Sequence, residues 1–241
     1  MLLLGFDFET TGPEPEECQI TEAAFVLMDA GSKRIVRALS YFLKCSEEIT
    51  LEITKLTKIT PETHSDYAVD GALLASDMKE RLCLADGIAA RPILVGHNSK
   101  KFDRILLRRF AETHQLGSLF EGLDHIDTMT DIEHDSDSRK LGYLAADYGF
   151  INPFPHCAIG DVMTTLQILT RHDVHQALAN SREKTVKLYA SVSFERKDLA
   201  KSAGYQWVPE RKVWAKEVRE SQVAKTIAEA EGKFPVRQLP M

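Results

Sequence analysis

Residues 2–8 form a nearly continuous apolar run, the pattern of a short strand buried in the middle of a sheet. Residues 21–28 and 35–43 predict two more strands, separated by the turn Asp29-Ala30-Gly31-Ser32. A polar connection containing residues 57–62 follows. Leu74, Met78, Leu82 and Ala85 then recur at helical spacing and predict an amphipathic helix. Residues 92–96 read as a fourth strand, which runs through His97-Asn98 into a helix with Phe102, Ile105, Leu106 and Phe110 on one side. A short strand at Ile126-Asp127, a helix near residues 140–148 and a longer one near 158–171 complete this part. Ile159, Val162, Met163, Leu166 and Leu169 make the expected apolar stripe of that longer helix, the last of this part. Strands first, then strand alternating with helix, predict an α/β or α+β sheet with helices packed on its faces.

The apolar pattern breaks at residues 177–183, which read as a linker. Two units follow from that break, residues 1–178 and residues 183–241. The second is expected to contain a strand at 187–194, a helix at 196–203, two short segments around Trp207 and Trp214, and a final helix at 221–231. The 241 residues are 44% hydrophobic and 27% charged, as in an ordinary soluble globular protein. No apolar run approaches the ~20 residues of a membrane span, and the apolar opening Met1-Leu2-Leu3-Leu4 is too short for a signal peptide. Cys18, Cys45, Cys83 and Cys157 are scattered, with no C-x-x-C pair. A disulfide framework or structural zinc site is therefore not expected, and a cytoplasmic location with no membrane partner is. Charge divides unevenly. Residues 1–181 carry 28 acidic against 17 basic side chains, and residues 182–241 carry 13 basic against 8 acidic. An acidic body followed by a basic module implies two functional units.

The chemistry concentrates in Phe6-Asp7-Phe8-Glu9-Thr10-Thr11-Gly12. Strand side chains alternate faces, so Asp7 and Glu9 point one way while Leu4, Phe6 and Phe8 point the other. Two carboxylates side by side at a buried strand end repel unless a cation sits between them. Hard oxygen donors of this kind suit magnesium or manganese. The plain alternative is a strand end that exposes two acids to water. Asp103 falls in the first turn of a helix, where the dipole favours a carboxylate with or without a function. Asp161 sits near a helix start, five residues after His156; alone it reads equally well as a surface acid, and His156 as a turn histidine.

In order and spacing, Asp7-Phe8-Glu9-Thr10-Thr11-Gly12, then His97-Asn98 with Phe102-Asp103, then His156 with Asp161, resemble the three motifs of the DEDDh 3′–5′ exonucleases. This is the superfamily of the polymerase III epsilon proofreading subunit and of ribonuclease T. Leu56-Thr57-Lys58-Ile59-Thr60, Ile126-Asp127-Thr128 and Lys140-Leu141 with Leu144 resemble its intervening segments, so the likeness covers roughly residues 1–175. Ser99, Lys100 and Lys101 separate His97-Asn98 from Phe102-Asp103, where many members have two residues. Cys157 stands where Arg is frequent.

The resemblance implies a ribonuclease H-like mixed sheet flanked by helices, and the pattern after residue 183 adds a small α+β C-terminal module to that α/β fold. It implies two divalent cations, Mg2+ or Mn2+, about 4 Å apart, held by Asp7, Glu9, Asp103 and Asp161 with Asp7 bridging. His156 would be the general base. Thr10, Thr11 and Gly12 would lie along the terminal nucleotide, with His97 and Asn98 nearby. The expected reaction removes 5′-mononucleotides from 3′ ends of single-stranded nucleic acid, DNA favoured, alone or in a polymerase or repair complex. A docking subunit that keeps a nuclease fold, and an RNA- or oligonucleotide-trimming exoribonuclease, are the competing readings.

In the C-terminal module Lys197, Lys201, Trp207, Arg211, Lys212, Trp214 and Lys216 interleave cations with indoles. Such aromatics can stack on unpaired bases while Lys and Arg meet phosphates. The plain alternative, favoured for at least one of them, is that the tryptophans form a small core. His172 and His175 flank Asp173 at a helix end and read as dipole partners. His64, His114, His125 and His134 lie among polar residues in the chain and carry no signal.

Overall fold

β1 (Leu2–Thr10) is the middle strand of a five-stranded sheet, and its alternation decides what each face of that sheet receives. In the computed structural model, which describes residues 1–82, 91–136 and 138–238, β1 pairs antiparallel with β2 (Ile20–Asp29) and parallel with β4 (Ile93–Gly96). β3 (Arg34–Phe42) adds antiparallel to β2, and β5 (His125–Asp127) parallel to β4. The order β3-β2-β1-β4-β5 is a mixed sheet.

Leu4, Phe6 and Phe8 join Phe25 and Leu27 on one face, against Leu74, Ala75 and Met78 of α3 (Gly71–Arg81) and Leu106, Leu107 and Phe110 of α4 (Asp103–Thr113). Leu3, Ala24, Val26, Val95 and Ile126 take the opposite face. There they meet Leu144 of α6 (Leu141–Asp147) and Val162, Leu166 and Leu169 of α7 (Ala158–Leu169). Each such side chain fully withdrawn from water contributes roughly 1.5–3 kcal/mol, which makes this double-sided packing the main stabilising term. Gly5 sets the spacing on the α7 face. A Cβ there would stand 2.7 Å from Val162 Cγ1 and 2.9 Å from Leu166 Cδ1, so its absence lets α7 lie close against β1.

Several expectations need correction. The polar connection is partly helical: α1 (Leu51–Thr57) is capped by Thr50, whose Oγ1 accepts from Ile53 N–H, and α2 (Pro61–Tyr67) by Thr60 with Pro61 at its first turn. These helices rest on caps rather than an apolar stripe, so periodicity misses them. The short α5 (Gly117–Phe120) was likewise not expected. In α7, Met163 is exposed, while Thr164 and Thr165 are buried. α7 is followed by α8 (Val174–Ser181), which occupies most of the expected linker and buries Ala177. Ala85 of the expected α3 stripe, like Cys83, lies outside the described residues. Cys18, Cys45 and Cys157 are free thiols. Among the described residues no helix is long and apolar enough to cross a membrane.

The chain divides into two compact units, Met1–Ser181 and Arg182–Met241. In the second, β6 (Thr185–Ala190), β7 (Gln206–Val208), β8 (Val213–Arg219) and β9 (Val236–Gln238) form an antiparallel sheet in the order β7-β8-β6-β9. With α9 (Lys197–Ser202) and α10 (Val223–Ala230) it encloses a core of Leu188, Ala200, Tyr205, Trp214, Val218 and Phe234. The predicted strand through residue 194 ends earlier: Phe194 is exposed in a 3-10 turn. β9 has no apolar run of its own and was not expected.

Gly5→Leu should destabilise the protein by about 1–3 kcal/mol, because the added side chain must push α7 off β1. Denaturant unfolding measures it, and an unchanged midpoint would refute the close approach.

Candidate active site

Asp7 and Glu9 share the parity of Gly5 along β1 and so stand on the α7 side of the sheet, beyond the point where Val162 and Leu166 cover it. The β1–β4 ladder ends at Gly5. Past it, the Phe8 N–H donates to Asp103 Oδ1 at 3.2 Å, which fixes the first residue of α4 against the strand. Asp103 is buried, so it is not the exposed dipole-compensating acid that its position alone allowed.

The loop that delivers Asp103 is anchored by another carboxylate. Asp127, at the end of β5, accepts from the backbone N–H groups of Asn98 (2.8 Å), Lys100 (3.0 Å) and Met129 (3.0 Å). Asp131 accepts in turn from Asp127 N–H at 2.8 Å and pairs with Lys100 Nζ at 2.7 Å. Asn98 takes a positive φ of 58°, a conformation in which Asn is enriched. A Cβ on Gly96 would lie 2.3 Å from Ser99 Oγ, so this glycine is required for the chain to fold back over Ser99. The three-residue spacing Ser99-Lys100-Lys101 is thus accommodated: Ser99 O accepts from Arg104 N–H at 2.8 Å, and Ser99 Oγ meets His125 Nε2 at 2.9 Å.

Asp161 is in the first turn of α7. Its Oδ2 accepts from His156 N–H at 3.1 Å, and its Oδ1 from Asn152 Nδ2. Gly160 permits this, since a Cβ there would come within 2.8 Å of Phe154 O. One ring nitrogen of His156 and one carboxylate oxygen each of Glu9 and Asp161 lie within 4.8 Å of one another, and His156 is exposed. Three separate elements thus bring Asp7, Glu9, Asp103, His156 and Asp161 to the end of β1.

Burial and crowding shift the ionisation of these four acids. Burial, then Asp103, Glu9, Asp161 and Glu22, push the Asp7 carboxyl well above the usual carboxylate range. Burial, then Asp161, Glu22 and Asp103, raise Glu9 to about 8. Burial also lifts Asp103 to about 7 against the lowering hydrogen bonds from its own N–H and from Phe8 N–H. Asp161 is raised by burial too, partly offset by Asn152 and His156 N–H. A set of hard oxygen donors that resist ionising together fits divalent cations such as Mg2+ or Mn2+.

Glu22 was missed. It stands directly opposite Glu9 in the β1–β2 register and is buried. The signal was available: a glutamate inside an otherwise apolar strand run. The other expected residues are placed as follows. Thr10 Oγ1 donates to Gly12 O at 2.7 Å; Thr11 Oγ1 donates to Glu47 and accepts from Gln19 N–H at 2.9 Å. These bonds hold the turn after β1. His97 Nε2 donates to Arg139 O at 2.8 Å and its Nδ1 meets Thr128 Oγ1 at 2.9 Å; burial lowers its pKa. Trp207 and Trp214 belong to the second unit, face each other across β7–β8 at 5.5 Å, and differ sharply: Trp207 is 47% exposed, Trp214 5%.

Of the remaining histidines His175 is exposed, while the others are drawn into packing or hydrogen bonds that their chain neighbours do not suggest. His64 is buried, with Nε2 bonded to Leu43 O at 2.8 Å. His125 packs 5.6 Å from the Phe6 ring, and burial pushes it down to about 3. His114 lies 4.4 Å from the Phe110 ring. His134 and His172 flank the Tyr148 hydroxyl at 3.3 and 2.6 Å, so His172, just past the end of α7, is also held by a side-chain hydrogen bond.

Residues 4–169 match a family model described as exonuclease, and residues 186–239 one described as a domain of unknown function. No curated protein matches. The fold is similar to E. coli exonuclease I in complex with a dT13 oligonucleotide, at 15% identity and TM-score 0.58 over 79% of this chain and 48% of that one. A zinc ion bound form of the E. coli exonuclease I–ssDNA complex matches at 15% identity and TM-score 0.60, over 80% and 48% of the two chains. A further structure of exonuclease I matches at 16% identity and TM-score 0.63, over 99% and 62%. The chain spans about half the length of the first of these relatives.

The raised carboxyl groups set a pH dependence for the metal-free protein. Folding favours their protonated forms. The stability they contribute is therefore complete below their unfolded values near 4 and is lost as pH climbs through about 7 for Asp103 and about 8 for Glu9. In EDTA the melting temperature should fall as pH is raised across that window. Glu9→Gln should flatten the fall, and magnesium or manganese should raise the melting temperature more above the window than below it. A profile that is flat, or that rises with pH, contradicts the crowded site.

Proposed function

The chain belongs to the exonuclease family matched by its residues 4–169, within the DEDDh superfamily, and from that premise we propose that it removes 5′-mononucleotides from the 3′ end of single-stranded nucleic acid, DNA in preference to RNA. The observation that carries this reading is that Asp7, Glu9, Asp103 and Asp161, from β1, α4 and α7, stand within electrostatic reach of one another, with His156 beside Glu9 and Asp161. Those four carboxylates would hold two divalent cations, Mg2+ or Mn2+. When bound, such cations lower the pKa of water and stabilise charge on the leaving oxygen. His156, exposed where a strand end can approach, accepts the proton of the attacking water at a ring nitrogen. Asp161 holds the His156 backbone in place, and Asp127 holds the loop of His97 and Asn98 through the Asn98 N–H. The turn Thr10-Thr11-Gly12 lies along the terminal nucleotide. The preference for DNA is supported by the dT13 oligonucleotide bound to the similar E. coli exonuclease I. Trimming of this kind serves repair or proofreading, alone or beside a polymerase.

The second unit would supply what the acidic first unit lacks. Long-range attraction to a polyanion needs positive charge, and residues 182–241 carry the excess. Trp207 is half exposed at the edge strand β7, and Arg211 lies 5.7 Å over the Tyr189 ring on the other face of the same sheet. An exposed indole among cations suits stacking on unpaired bases.

Asp7→Ala, Glu9→Ala, Asp103→Ala and Asp161→Ala should each abolish digestion of labelled single strands while the protein stays folded, and excess EDTA should do the same. Near-normal turnover in any of the four, or in EDTA, removes the metal-dependent reading. His156→Ala should lose ~10²–10⁴-fold in rate while still binding metal and oligonucleotide. Matched DNA and RNA substrates decide the nucleic-acid class.

For the second unit, Trp207→Ala combined with Lys212→Glu should weaken binding of long single strands and make its salt dependence shallower, with cleavage of very short oligonucleotides retained. Identical affinities and salt slopes on every length would leave protein docking as the better account of this unit.

A further inference from the structure

We infer that Glu22 is a positioning residue for His156, an inference that rests on the exonuclease reading above. α7 begins without a side-chain cap of its own: Cys157 stands at the cap position in extended conformation and makes no capping bond. The orphaned donor of the first turn is met from another element. Glu22 Oε2, on β2, accepts from Ala158 N–H at 3.2 Å, and its Oε1 accepts the Cys157 thiol at 3.6 Å. A carboxylate at this place also favours the positive end of a twelve-residue helix.

The residue next to this clamp is His156, which sits at φ 59°, in the left-handed region. A non-glycine residue there costs on the order of 1–3 kcal/mol and persists only when its surroundings impose it. The turn is imposed from both sides: Asp161 Oδ2 takes the His156 N–H from within α7, and Glu22 takes the next two donors from the sheet. Because Glu22 faces Glu9 directly in the β1–β2 register, the clamp ties His156 to the strand that carries the acids. Both Glu22 oxygens are engaged by donors from the start of α7, which places its action on the turn beside His156.

The test is steady-state digestion of an oligothymidylate by the full chain in magnesium, with thermal melting of each variant. Glu22→Met, which cannot accept a hydrogen bond, should lower kcat about 10²-fold, the loss expected from a displacement near 1 Å at a reacting group. KM and the magnesium concentration for half-maximal rate should stay as in the wild type. Glu22→Gln, whose amide oxygen can still take the Ala158 N–H, should recover most of kcat. Glu22→Asp keeps the charge but loses the reach, and should behave like Glu22→Met; it decides the matter if Glu22→Met does not melt cooperatively. Wild-type kcat in Glu22→Met or Glu22→Asp, a Glu22→Gln as slow as Glu22→Met, or recovery in excess magnesium would each overturn the inference. A wild-type protein that digests nothing overturns the exonuclease reading, and the inference with it.

Discussion

Carboxylates crowded at the end of β1 repel one another, and the first unit is built so that they cannot move apart. Asp7 and Glu9 are locked by the β1 pairing with β2, which is bounded on one face by Phe6, Phe8 and Phe25 and on the other by α7. Asp103 is held by the Phe8 N–H, and Asp161 by Asn152. Each of these constraints keeps a charge where burial and its neighbours disfavour it. The apolar packing of the two sheet faces offsets that repulsion, as functional sites that strain a fold generally require.

Around the acids lies a layer of polar groups whose work is to shape the backbone. Asp127 gathers three N–H groups and holds the loop before α4 at the turn allowed by Gly96 and by Asn98 in its left-handed conformation. On the opposite side, Glu22 and Asp161 gather the N–H groups around His156. Buried carboxylates used this way need full hydrogen-bond partnership, since an unsatisfied buried acid is costly. Asp161 meets both demands in one side chain: it stands among the crowded acids, and its two oxygens accept from Asn152 and from the His156 N–H.

The sequence order of Asp7, Glu9, Asp103, His156 and Asp161 was enough to name the superfamily, and strand alternation alone put Asp7 and Glu9 on the face opposite Phe6 and Phe8. Core strands and the helices with apolar stripes were legible for the same reason: period two and period 3.6 are local properties of the chain. α1 and α2 were not, because they are specified by Thr50 and Thr60 caps and carry no stripe. α8 was not either, because its one buried residue, Ala177, finds its core only after the sheet has formed. Trp207 and Trp214 show the same boundary within one hairpin, since nothing in the chain distinguishes the edge indole from the core one.

What the chain determined by itself is which residue types stand at which spacing, and hence the fold family and the candidate acids and histidine. Only tertiary structure decided that Asp103 is buried rather than a surface helix acid, that Glu22 faces Glu9 across two strands, and that His125 lies beneath Phe6 instead of in water. Each of those facts depends on a partner far away in sequence, brought near by strand pairing and helix packing. Burial and the charge of such partners set ionisation and donor partnership, and neither is written in the local pattern.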